Sequence, residues 1–199
     1  MKLDLPRGRA MSAADYVSTF VSIVLGVALA DLATSLHRLL RARSRVRWDW
    51  LAPLAAFGAM LVIVIGWWEL YDSFSGRVAL GRFLPVLFSL LLLFLLAAAA
   101  LPDEVPAEGI DLRAYYLDNR SYFWGIFALF LLSTINADIH DAGAGGWRAV
   151  LWEARFKTIF LPAAVLLMWT RRPWAHGAVL IAMMFVGTLQ LNSTVGLNR

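Results

Sequence analysis

Apolar residues arrive in six blocks, each about the length needed to cross a bilayer, roughly 20 residues. They fall near residues 14–40, 50–71, 78–101, 121–139, 152–170 and 173–191. A segment surrounded by hydrocarbon must satisfy its backbone hydrogen bonds internally, which leaves a helix as the open choice for isolated blocks. The composition agrees. The 199 residues are 60% hydrophobic and 16% charged, whereas soluble domains run at about 45–50% and about 25%. The expected fold is all-α, a polytopic six-transmembrane-helix bundle forming one domain over residues 1–199. A short interfacial helix is expected before span four. The first block is longer than a signal-peptide core and no small-residue cleavage site accompanies it, so it reads as a retained span.

The connections carry the charge. The stretch SLHRLLRARSRVRWDW puts five arginines, Arg38 to Arg47, between two apolar blocks, and TRRP adds Arg171 and Arg172. The segment PDEVPAEGIDLRAYYLDNR is acidic in its first half, with Asp111 placed to cap a short helix carrying Tyr115, Tyr116 and Leu117. Those tyrosines, with Tyr122 and Trp124, read as an aromatic belt at a membrane interface. Alternating spans put the arginine loop, the acidic loop and the Arg171–Arg172 turn on one face, with both termini on the other. Lysines and arginines divide nine to nine between the faces, so the tight basic turns decide the orientation. The expectation is a bacterial inner-membrane protein with the arginine loop cytoplasmic and both termini outside. The net charge of +4 then serves orientation beside anionic headgroups. Nucleic acid is not an expected partner, since no recognition module is present. The expected partners are the bilayer, further copies of the chain, and a protein docking on the Arg38–Arg47 loop.

Several phrases together resemble a family of small bacterial six-span integral membrane proteins to which no activity is attached. They are YVSTFVSIVLGVALADLATSLHRLLRAR, WDWLAPL, WWELYD, LPDE and DLRAYYLDNRSYFWGIFALFLL. The resemblance implies the architecture and carries no functional residue.

Cysteine is absent, which excludes disulfides, thiolate metal sites and a cysteine nucleophile. The sequence has no glycine-rich phosphate loop, nucleophile elbow, H-E-x-x-H pair or selectivity filter. No catalytic residue can be named, and a non-enzymatic role is favoured. LFSLLLLFLLAAAA in span three is uniformly apolar and is expected to be the helix most exposed to lipid. Pro162 should kink span five, which is expected to open as an interfacial helix near Trp147.

Polar groups mark the candidate sites. Ser18, Ser22, Gly26, Ala30 and Thr34 recur at four-residue spacing, a stripe suited to close helix packing within the chain or between subunits. Asp31 sits inside span one, where an unpaired carboxylate costs about 2.5–3.5 kcal/mol. It is read either as a partner of Arg38 or as a titratable, cation-binding group. At the end of span four, Ser133, Asn136 and His140 share a helix face, flanked by Asp138 and Asp141. Span alternation brings these to the same end as Asp15, Glu69, Asp72, Gln190 and Asn192. Glu69, Asp138, His140 and Asp141 are the candidate cation ligands, and the others are candidate pathway residues. The expected function is binding or conduction of a small cation or polar solute. Docking of other proteins through the arginine and acidic loops is the alternative. A haem held by His37 and His176 is disfavoured because both adjoin arginines near span ends, and no resident cofactor is expected.

Overall fold

The apolar blocks fold as helices. The structure, a computed structural model, describes residues 13–73, 80–142 and 154–196, without the side chains of 13–14, 70–73, 80, 82, 141–142 and 190–196. The helices are α1 (Ala13–Arg41), α2 (Leu51–Ser73), α3 (Leu80–Ala100), α4 (Leu112–Ala142), α5 (Arg155–Trp169) and α6 (Pro173–Gly196). Four of them contain stretches long and apolar enough to cross a membrane: Asp15–Arg41, Leu51–Glu69, Phe83–Ala100 and Leu112–His140. The apolar stretch of α6, Pro173–Leu189, is shorter. The 15 described residues of α5 reach about 22 Å, less than a hydrocarbon core of about 30 Å. The helix expected near Trp147 lies outside the described residues.

α3 and α4 form the centre. α3 packs against α1, α2 and α4, and α4 packs most extensively against α5 and α3, while α6 lies on α2 and α5. Two expectations are corrected here. The short helix expected before span four is not separate, because α4 runs unbroken for 31 residues. Nothing between Leu112 and Trp124 is a glycine or proline, so the first turns continue into the span. Nor is α3 the most exposed helix. Leu90, Leu93, Leu96 and Ala100 are buried, and α1 buries a smaller share of its span than α3 does. A helix apolar on every side has no face written into its sequence, so its neighbours decide what is covered.

α1 uses one face, with Val21, Leu25, Ala28, Leu32 and Leu39 buried. Ala30 and Thr34 of the small-residue stripe are exposed, and a Cβ built on Gly26 would meet nothing within 4 Å. At Gly26, Ala30 and Thr34 the stripe therefore meets no other helix among the described residues. Four-residue spacing advances about 40° per step on a helix of 3.6 residues per turn, so Ser18 and Thr34 cannot share a face. Near the start of the stripe Ser22 does meet a neighbour, accepting a hydrogen bond from Trp67 Nε1 at 3.1 Å.

At one end of the bundle the loops are laced together. β1 (Val46–Arg47) pairs in parallel with β2 (Ile110–Asp111). Arg47 lies 3.3 Å from Asp111, and Arg38 Nη1 donates to the Asp103 carbonyl at 2.8 Å. Gly109 has φ +93°, and a Cβ there would run into the Arg45 carbonyl oxygen. Only glycine meets both demands cheaply. Asp111 makes the cap expected of it, its Oδ1 accepting from the N–H groups of Arg113 (2.9 Å) and Ala114 (3.1 Å). Asp49 accepts from Leu51 N–H at the start of α2 (3.0 Å). The arginine loop and the acidic loop thus lie together, as span alternation predicts.

Candidate binding site

A cavity of about 90 Å³ opens between α2, α4, α5 and α6. Its walls are apolar, with Leu61, Val62 and Ile65 from α2, Phe127, Phe130 and Leu131 from α4, and Met183 and Met184 from α6. Gly58 and Gly187 let α2 and α6 approach. A Cβ on Gly187 would come 2.8 Å from the Ile65 side chain. The flexible thioethers give the walls room to adjust to an occupant. Polar groups are few: Glu69 from α2, Thr134 from α4 and Lys157 from α5. Lys157 Nζ donates to Asp138 Oδ2 at 2.9 Å, with both side chains only partly exposed. An apolar chamber with a small polar group of both charges suits a ligand that is itself divided between apolar and polar parts.

The sequence-predicted residues divide accordingly. Glu69 and Asp138 are brought to one end of the bundle, Glu69 lining the cavity and Asp138 pairing with Lys157, which also lines it. Asn136 and His140 are exposed on α4. Ser133, on the same helix, instead bonds Ser89 of α3 at 2.9 Å. Among the described residues no three histidine or carboxylate side chains gather as metal ligands would. The side chains of Asp72, Asp141, Gln190 and Asn192 lie outside the described residues. Asp15 is exposed at the start of α1. Asp31 is half-buried and does not reach Arg38, whose guanidinium is committed to the Asp103 carbonyl.

A buried polar knot near the laced end went unread in the sequence. His176 is 0% exposed, as is Trp124, and Tyr116 is 2% exposed. His176 Nε2 lies 2.8 Å from the Thr170 carbonyl, which can only accept, so this nitrogen carries the proton. Nδ1 is then the acceptor for Trp124 Nε1–H (2.9 Å) and faces the Tyr116 hydroxyl (3.1 Å). Trp124 Nε1 also reaches the Tyr116 oxygen at 3.0 Å. The knot ties α4 to α6 and to the turn before it. Both histidine nitrogens are engaged, which leaves none for a haem iron, while His37 is exposed on α1. Tyr116 and Trp124 are corrected from an aromatic belt to the interior, whereas Tyr122 is 52% exposed. The available signal was spacing: 116, 120, 123 and 127 fall on one face of a helix.

Outside the spans, one carboxyl is clearly tuned. The Ala114 N–H, the Arg113 N–H and the Arg47 and Arg113 guanidinium groups together hold Asp111 below the ordinary carboxylate range, against a desolvation that raises it. No protein-family model matches the chain, and comparison with curated proteins and with solved structures gives no match.

Proposed function

We propose that the chain is a six-span integral membrane protein that holds a small amphipathic solute in the cavity between α2, α4, α5 and α6. Four membrane-length apolar helices support the membrane reading. The observation that carries the ligand reading is the division of the cavity into apolar walls and the few polar groups Glu69, Thr134 and Lys157. Asp138 offsets the Lys157 ammonium, and the polar end holds charges of both signs beside the Thr134 hydroxyl. A neutral hydrogen-bonding head is favoured there over a bare ammonium or carboxylate.

Three probes sharing one chain test this: octylammonium, octanol and octanoate, added to the purified protein in detergent. Octanol should raise the melting temperature more than octylammonium or octanoate, since a ligand stabilises the state that binds it. Val62→Trp, which fills the chamber, should remove the shift, and Thr134→Val should reduce it. The proposal fails if no probe moves the melting of the unmodified protein, or if Val62→Trp leaves the shift intact. A second reading is a bare cation held by Glu69, Asp138, His140 and Asp141, favoured by Glu69 lining the same cavity as the lysine that Asp138 pairs with. It requires a shift with sodium or magnesium ions that Asp138→Asn removes.

A further inference from the structure

A second concavity lies at the laced end, about 590 Å³ in volume and walled by Arg38, Arg41, Arg45 and the segment Asp103–Val105. Three guanidinium groups face two carboxylates there, and their commitments differ. Arg38 is spent on the Asp103 carbonyl (2.8 Å), and the Asp103 carboxylate lies 3.4 Å from the Ser35 hydroxyl. Arg41 and Arg45 are exposed and make no side-chain hydrogen bond or ion pair among the described residues. Both are nevertheless held in place from below. Arg41 ends α1, and the turn carrying Arg45 is fixed by the Arg45 N–H to Ala42 carbonyl bond (2.8 Å) and by Gly109 against the Arg45 carbonyl. The apolar stretches of α1 and α3 end beside this pocket, at Arg41 and Ala100. Leu36 and Leu40 stay exposed on α1 just below it, 40% and 52%.

We propose that this pocket binds a phosphate oxyanion through Arg41 and Arg45, supplied by the headgroup of an anionic phospholipid whose chains lie along Leu36 and Leu40. A planar guanidinium presents paired N–H donors that match phosphate oxygens. Two such groups without an acid partner, above exposed leucines at the end of membrane-length helices, match a ligand charged at one end and apolar at the other. The choice of lipid as source rests on the membrane reading, which alkaline carbonate extraction of the expressed protein checks separately. It is independent of the cavity between α2 and α6.

The test is retention of phosphatidylglycerol against phosphatidylcholine by the full chain in native mass spectrometry. Phosphatidylglycerol should be retained preferentially, and Arg41→Gln with Arg45→Gln should weaken its retention roughly 30-fold, taking each basic group near an anionic surface at its usual worth. Arg171→Gln with Arg172→Gln removes the same charge from the neighbouring turn and should leave retention nearly unchanged. Equal losses in the two double variants, or no preference in the unmodified protein, overturn the site. Protection from thermal unfolding by inorganic phosphate, equal in extent to that by phosphatidylglycerol and lost in the Arg41/Arg45 variant, would keep the oxyanion pocket and overturn the lipid as its occupant.

Discussion

Replacing His176 with phenylalanine keeps most of the ring volume and removes every hydrogen bond of the buried knot that involves the imidazole. Trp124 Nε1–H retains a partner, because the Tyr116 oxygen lies 3.0 Å away. The Tyr116 hydroxyl proton and the Thr170 carbonyl lose theirs. A buried polar group left without a partner costs about 1–3 kcal/mol, and Thr170 is only half-buried, so the sum is about 2–4 kcal/mol. For a chain of this size each kcal/mol moves the midpoint by about 2–4 °C, which sets the expected fall at about 4–16 °C. Size-exclusion recovery after graded heating in detergent measures it without depending on tryptophan fluorescence. Trp124→Phe should be milder, since Tyr116 can still donate to Nδ1. The double variant should fall short of the sum of the singles by about 1 kcal/mol or more, the signature of groups in one network. A fall below about 1 °C for His176→Phe, or strict additivity with Trp124→Phe, would refute the assignment of the knot as a lock between α4 and α6.

Other perturbations probe the loops and the outer face of α1. Gly109→Ala should cost about 1–3 kcal/mol, because it forces a non-glycine residue to positive φ and drives its Cβ against the Arg45 carbonyl; unchanged thermal stability would count against the laced loops. Asp111 has a lowered folded pKa, so its contribution is present above the unfolded value and is lost as pH falls through the folded one, on the acid side of the ordinary aspartate range. Melting curves should therefore show the native protein more stable than Asp111→Asn near neutral pH, with the gap closing in that acid window. Cysteines placed singly at 43 and 172 should be labelled from the same side of the membrane, opposite to one at 72, without background from this cysteine-free chain. Gly26→Leu adds bulk where nothing among the described residues lies within 4 Å of the added Cβ, so it should leave the monomer's fold intact while lowering the oligomer fraction in cross-linking, if the stripe is a contact between subunits.

By itself the sequence determined where the helices lie, though not that α4 starts at Leu112 in place of a separate short helix. Apolar blocks of membrane length announce helices because hydrocarbon leaves the backbone few other ways to satisfy its hydrogen bonds. The cap at Asp111 was legible because it depends on residues two and three positions away. The meeting of the arginine and acidic loops followed from alternation alone. Glu69 and Asp138 could be assigned to one end of the bundle on the same ground, yet the pairing of Asp138 with Lys157 is set by the packing of α5 on α4. Tertiary structure alone decided which faces are covered. From Leu90 to Ala100 α3 has no polar residue to mark an outer face, so α1, α2 and α4 determine that Leu93 and Leu96 are interior. His176 looks like an interfacial histidine beside two arginines until Tyr116 and Trp124, 60 and 52 residues away, close over it. Local rules of spacing and capping act over a turn or two of helix, whereas a cavity or a buried knot needs distant segments, whose meeting depends on how whole helices pack.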